Sequence, residues 1–251
     1  MKNLFLEIGN TNINYLLREG KKVVKKGKMP VCEYLQILTV VKKYRPQNVI
    51  IASVVPHVEV EFSRKLKKDS GIRVVKIGQD VIVPIRNRYT QPEKVGIDRL
   101  LNAYYIKEKF SLPAICIDLG TAITIDVISP LGEFCGGLIF PGVKLCYDVL
   151  GEKTSLLPHL EPQKLHPRTY GRNTEECLHL GIIGGISNLL DGVINNLSEK
   201  LARKYRRVPA VFITGGDATL LISTIRKNKW RNIPDLTLKA MVLLWSKLCK
   251  N

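Results

Sequence analysis

Two stretches of this chain carry the same short arrangement of chemistry-bearing residues. In Leu4-Phe5-Leu6-Glu7-Ile8-Gly9-Asn10-Thr11 and Ile115-Cys116-Ile117-Asp118-Leu119-Gly120-Thr121-Ala122, three apolar residues lead to a carboxylate, an apolar residue, a glycine and then an amide or hydroxyl. The two copies lie 111 residues apart. A tight glycine-containing hairpin presents backbone N–H groups with no side chain in the way, which suits a phosphate. Asn10, Thr11 and Thr121 add amide and hydroxyl donors. A carboxylate closing the preceding strand can hold magnesium or a monovalent cation, directly or through water. One copy alone reads equally well as a turn that Gly, Asn and Thr merely serve. A pair can grip a polyphosphate from both sides.

Other residues offer further chemistry. Val211-Phe212-Ile213-Thr214-Gly215-Gly216-Asp217-Ala218 reads as a strand running into glycines at a helix start, where a flat adenine could approach bare backbone. Gly96-Ile97-Asp98-Arg99 places a carboxylate and a guanidinium at another helix start. Adjacent side chains on a helix do not face each other, so both are open to other partners. Asn173 has the chemistry of an N-cap, with Glu176 placed to close a capping box and Thr174 in the first turn. The histidines (His57, His159, His166, His179) lack metal-ligand spacing, and the six cysteines form no C-x-x-C pair. The cysteines read as small hydrophobes in a reducing compartment.

The elements that must position these groups alternate between strand-like and helix-like. Strands are expected at 4–8, 12–17, 22–28, 48–53 and 73–77, and helices at 33–44, 58–69 and from 95 to about 110. The pattern then restarts: strands at 114–118, 123–128 and 133–139, a helix at 175–205, a strand at 210–213, and helices at 219–226 and 236–248. A restart at the second carboxylate hairpin predicts a duplicated domain, each half facing its twin across a cleft. Gly181, Gly184, Gly185 and Gly192 weaken the long helix by about 1 kcal/mol each, so a close packing partner is expected there.

Composition narrows the class. Hydrophobic residues at 45% and charged residues at 24% exclude a disordered chain. No signal peptide is read at Met1, no run reaches the roughly 20 apolar residues of a membrane helix, and a cytoplasmic protein is expected, with no membrane partner. The net charge of +17 raises the question of nucleic acid. Its lysines and arginines are scattered without aromatic interleaving or a zinc module, so a solvated basic surface is expected rather than a nucleic-acid site.

Taken together, the motifs resemble the type III pantothenate kinase family. Glu7 to Thr11 is similar to its first phosphate motif, with Glu7 where the family has aspartate; Asp118 to Thr124 is similar to its second. Ser53-Val54-Val55-Pro56, Gly96 to Arg99 preceded by Tyr89, Gly136 to Gly142, Asn173-Thr174 and Pro234-Asp235-Leu236-Thr237-Leu238 match further family segments in order. The resemblance implies an α/β chain with the duplicated ribonuclease H-like fold of actin and sugar kinases, its halves at 1–112 and 113–251 around an ATP cleft. It implies phosphorylation of pantothenate with ATP and Mg2+, and a monovalent cation, K+ or NH4+, at Asp118. By the same resemblance Asp98 is the base. Glu7, Ile8, Gly9, Asn10, Thr11, Asn12, Ile13, Asn14, Thr121, Gly215 and Gly216 hold ATP, and Tyr89, Gly96, Ile97, Arg99 and Thr174 line the pantothenate site. A homodimer is implied as well. Two rivals stay open: another small-molecule kinase of the same fold, and a catalytically weakened nucleotide-binding regulator, since some relatives were first regarded as transcription accessory factors.

Overall fold

Strand β1 (Lys2–Ile8) alternates cleanly: Leu4, Leu6 and Ile8 point to one face, Phe5 and Glu7 to the other. That parity decides which helices each residue meets. The structure is a computed structural model and describes residues 1–67, 71–164, 168–221 and 230–249. The chain divides into two units, Met1–Lys109 with Asp235–Asn251, and Phe110–Pro234.

In the first unit β1 is followed by β2 (Asn12–Glu19) and β3 (Lys22–Pro30), then α1 (Ile37–Tyr44), β4 (Asn48–Ser53), α2 (Pro56–Lys67), β5 (Arg73–Lys76) and α3 (Ile97–Lys109). The sheet order is β3-β2-β1-β4-β5. The first three strands form an antiparallel meander; β4 and β5 join in parallel. Leu4, Leu6 and Ile8 pack with Ile37, Val41, Val58 and Phe62 of α1 and α2. Phe5 and Ile50, on the opposite face, pack with Leu101 and Tyr104 of α3.

The second unit repeats this plan. It contains β6 (Ala114–Leu119), β7 (Ala122–Ile128), β8 (Phe134–Pro141), α4 (Val143–Lys153), α5 (Thr174–His179), a π turn (Leu180–Gly184), α6 (Gly185–Tyr205), β9 (Ala210–Thr214), α7 (Ala218–Leu221) and β10 (Arg231–Asn232). Its order, β10-β9-β6-β7-β8, has the same parallel and antiparallel neighbours as the first sheet. The restart in sequence is thus a restart in topology. Ile115, Ile117 and Leu119 of β6 face a core completed by Val143, Tyr147, Ile183, Leu190 and Ile194.

Several elements differ from the sequence reading. The tail helix, α8 (Leu236–Leu248), lies in the first unit, not with 113–234. Its Leu238, Met241 and Leu244 cover the Phe5 face of the first sheet, which α3 alone leaves open. The stretch 33–44 is a 3-10 turn (Val31–Gln36) followed by α1. Helix α4 and the two-residue β10 had no expected counterpart. Leu145 and Val149 of α4 are exposed while Val143 and Tyr147 are buried, so apolar residues on both sides blur its periodicity. Of the expected helix 219–226 the described part is α7; residues 222–226, the end of the 58–69 helix at 68–69, and His166 lie outside the described residues. The helical stretch Thr174–Tyr205 is, by length and composition, apolar enough to cross a membrane. Its Ile182, Ile183, Leu190, Ile194 and Leu201 instead belong to the core of the second unit.

Candidate active site

In the first hairpin Glu7 pairs with Asn14 and Ile8 with Ile13 across β1 and β2. Gly9 N–H donates to the Asn12 carbonyl at 2.9 Å, so it closes the turn and is not offered to a ligand. Asn10 and Thr11 form the exposed tip. Glu7 shares the face of Phe5, over which α3 and α8 lie. Its Oε2 accepts from Asn14 Nδ2 at 3.1 Å, and the Thr237 hydroxyl is hydrogen-bonded to the same carboxyl group. The Thr237 hydroxyl also donates to Asn102 Oδ1 at 3.0 Å, and both residues are buried. Burial pushes the Glu7 pKa up, the charges of Asp98 and Asp235 add to that, and the hydrogen bonds from Thr237 and Asn14 oppose it.

The start of α3 brings together the other expected residues of this unit. Asp98 Oδ1 accepts the Arg99 backbone N–H at 2.9 Å. Burial raises the Asp98 pKa, against this hydrogen bond and the nearby Arg99 charge. A Cβ on Gly96 would stand 2.4 Å from Asp98 Oδ1, so the bare glycine leaves room for the carboxylate to fold back. The buried Arg99 lies with its guanidinium 5.9 Å from the centroid of the Tyr89 ring, a cation–π distance. Ile97 packs into the core beneath. Val54 connects the two regions: its N–H donates to the Ile8 carbonyl at 3.0 Å, and its side chain comes within 3.7 Å of the position a Gly96 Cβ would take.

In the second unit Asp118 pairs with Thr124 and Leu119 with Ile123. Gly120 N–H closes on the Ala122 carbonyl at 3.2 Å, leaving Thr121 alone at the tip where the first hairpin has two residues. Gly142, just before α4, packs on this tip: its N–H donates to the Thr121 carbonyl at 3.0 Å, and a Cβ there would stand 2.2 Å from the Gly120 oxygen. Gly215 has φ of +100° and a Cβ there would lie 2.3 Å from the Leu119 carbonyl oxygen, so glycine is required by the chain's own packing on β6. Gly216 follows at the same end of β6, where Asp217 N–H donates to the Leu119 carbonyl. Thr174 is the exposed first residue of α5, capped by Asn173, whose Oδ1 accepts from Glu176 N–H at 2.9 Å. Glu176 returns not to Asn173 but to the Arg172 N–H, at 2.9 Å, so the box closes one residue early.

The expected site residues therefore fall into two sets. Glu7 to Asn14, Tyr89 and Gly96 to Arg99 lie in the first unit; Asp118, Thr121, Thr174, Gly215 and Gly216 lie in the second. Thr237, Asn102 and Gly142 were not singled out by sequence, although Thr237 and Gly142 sit inside motifs that were. Among the described residues no three His, Cys, Asp or Glu side chains cluster as a metal site. The Asp118 carboxylate at the strand end, close to Gly120, is a hard oxygen donor of the type that K+ or Mg2+ accepts.

A protein-family model described as type III pantothenate kinase matches residues 3–196. A type III pantothenate kinase from Persephonella marina is 36% identical over 180 residues, covering 72% of this chain and 69% of that protein. Among solved structures, a Baf-family protein from Campylobacter jejuni superposes with a TM-score of 0.64 at 20% identity, covering 99% of this chain and 100% of that one. ADP-bound MreB5 of Spiroplasma citri gives a TM-score of 0.55 at 13% identity, with 99% and 97% covered. The structural likenesses show the duplicated actin and sugar-kinase fold. Because the family match spans both carboxylate hairpins, the Asp98 helix start and the Asn173 cap, this chain belongs to the type III pantothenate kinase family.

Proposed function

We propose that this chain transfers the γ-phosphoryl group of ATP to the hydroxyl of pantothenate, giving 4′-phosphopantothenate and ADP, the first step of coenzyme A synthesis. The observation that carries the assignment of roles is that Glu7 lies on the face of the first sheet covered by α3, the helix that carries Asp98, near enough for the Asp98 charge to act on Glu7. The bond from the γ-phosphorus to its bridging oxygen breaks as the pantothenate oxygen bonds to phosphorus, and the hydroxyl proton passes to Asp98. Such a transition state is loose, so positioning and charge neutralisation carry most of the catalysis. A carboxylate whose pKa burial has raised is a better acceptor for that proton.

Arg99 offers a planar fork to the pantothenate carboxylate and is held in place by burial and by Tyr89. We assign pantothenate contacts to Ile97 and Gly96 as well, and to Thr174 of the second unit. We assign ATP contacts to residues 7–14, with the exposed Asn10 and Thr11 as the donors of the first tip, and to Thr121, Gly215 and Gly216 of the second unit. Magnesium bound with ATP would neutralise phosphate charge, and Asp118 would hold a monovalent cation. The intact Asp98 site, with Gly96 leaving it room, favours an enzyme over a regulator that only binds nucleotide.

A homodimer is part of the proposal. Gly181, Gly185, Leu189 and Gly192 line one exposed face of the long helix, and a Cβ on any of the three glycines would meet nothing within 4 Å. Leu138, Ile139, Leu145 and Val149 add exposed apolar surface in the same unit. A second copy would supply the packing partner these glycines lack. We place the protein in the cytoplasm. The reaction is tested by mass spectrometry of the products from ATP and a panel of alcohol acceptors. Phosphorylated pantothenate is expected; phosphorylation of another acceptor in its place would refute the substrate.

A further inference from the structure

We propose that the first unit carries a second ligand site, a groove between α8 and the outer strands β2 and β3, built for a free aliphatic carboxylate of medium chain length. This goes beyond the kinase reading and does not rest on it. The groove follows from the sheet order. Helices α3 and α8 pack over Phe5 of β1 and Ile50 of β4, while β3 is the edge strand. Leu16 pairs with Phe5 and Arg18 with Asn3, so both side chains stand on the helix-covered face of the sheet. On β3, Lys26 pairs with Leu16 and Val23 with Arg18, and they extend that face past α8. What remains is an open cleft of about 430 Å³, with β2 and β3 on one side and α8 and the end of α3 on the other. That size suits a small molecule.

Its floor is apolar. Leu16, Tyr105, Val242 and Leu243 form the half-buried margin of the core beneath it, and Val23 is exposed. A hydrocarbon chain laid on such a floor takes apolar surface out of water on both sides. The α8 wall runs from Leu238 to Ser246, roughly 12 Å along the helix. An extended chain of about ten carbons, with C–C bonds of about 1.5 Å, has that reach. The rim is cationic. Lys26 closes one end in an ion pair with Asp235, the acidic residue of the lining. Arg18, Lys109 and Lys239 bring further positive charge, and among the described residues no carboxylate pairs with them. Arg18 gives one N–H to the Lys21 carbonyl at 2.9 Å, and its Nε is buried without a hydrogen-bond partner. A guanidinium N–H left without an acceptor is costly, and a carboxylate is the acceptor whose plane matches the guanidinium fork. An aliphatic carboxylate meets both demands, with its chain on the floor and its head at the rim. A polyphosphate would satisfy the rim and leave the floor wet.

Titration calorimetry at physiological salt tests this, with decanoate kept below the concentration at which it forms micelles. Butyrate supplies the head without the chain, and decanol the chain without the head. Saturable binding of a single decanoate per chain is expected, with butyrate and decanol each at least about tenfold weaker. Arg18→Met should weaken decanoate at least about tenfold, as expected for a lost charge-assisted hydrogen bond. Lys239 is exposed, so Lys239→Glu leaves the core untouched and carries the test if Arg18→Met folds poorly; a loss of at least about threefold is expected from the reversed charge. Butyrate or decanol bound as tightly as decanoate would overturn the inference. So would several decanoates adsorbing per chain, or parental affinity in either variant. Sedimentation with vesicles of phosphatidylcholine and phosphatidylglycerol, without saturable decanoate binding, would assign the groove to a lipid surface and overturn it as well.

Discussion

Asp98 Oδ1 occupies the space beside Gly96 that a side chain there would need, 2.4 Å from the position of a Gly96 Cβ. The glycine is therefore tied to the carboxylate and not to a turn. Gly96→Ala should push the Asp98 carboxylate off its place at the α3 start. Misplacing a reacting group by about an ångström can cost about a hundredfold. We expect kcat to fall at least about tenfold with Tm nearly unchanged, since the carboxylate can swing away without disturbing the core. A variant with parental kcat would separate Gly96 from the chemistry.

Asp98→Asn should abolish phosphorylation while Mg-ATP binding survives. Burial raises the Asp98 pKa, so the sign of its linkage to stability is fixed. The stability associated with the protonated carboxyl is present below the unfolded pKa and is lost as pH rises through the raised folded value. Asparagine removes that loss. The Tm of the variant relative to the parent should therefore rise from acid to neutral pH, and parental kcat should fall as pH drops through the raised pKa. Thermal scans and rates across that range check both; a variant that loses stability toward neutral pH would contradict the burial argument.

How much of this could be read beforehand follows from particular residues. The β1 alternation of Leu4, Leu6 and Ile8 against Phe5 and Glu7 was present in the sequence, as was the second hairpin at Asp118, because strand parity and turn glycines are local signals. The cap at Asn173 was legible for the same reason. The contact of Thr237 with Glu7 was not, since it joins positions 7 and 237 through packing of α8 on the first sheet. The packing of Gly215 against Leu119 was not legible either, since that neighbour is set only by the pairing of β6 with β9. The spent N–H of Gly9 likewise depended on the closure geometry of the turn.

Replacing sodium with potassium or ammonium should stimulate turnover, and Asp118→Ala should remove the stimulation. The carboxylate at the end of β6 is a suitable hard oxygen ligand. Equal rates in sodium and potassium would count against the role given to Asp118.

Leu189→Arg, on the face shared with Gly181, Gly185 and Gly192, should convert a dimer to monomers in sedimentation velocity, because a desolvated charge is costly in a helix–helix contact. An unchanged dimer would move the interface elsewhere.

The central claim, that a glutamate at position 7 serves a working pantothenate kinase, is tested most directly by pantothenate-dependent ADP release from the parent beside Glu7→Ala and Glu7→Asp. We predict measurable turnover in the parent, a far lower rate for Glu7→Ala, and Glu7→Asp within about tenfold of the parent, a difference of about 1.4 kcal/mol. A silent parent that Glu7→Asp brings to life would contradict the account.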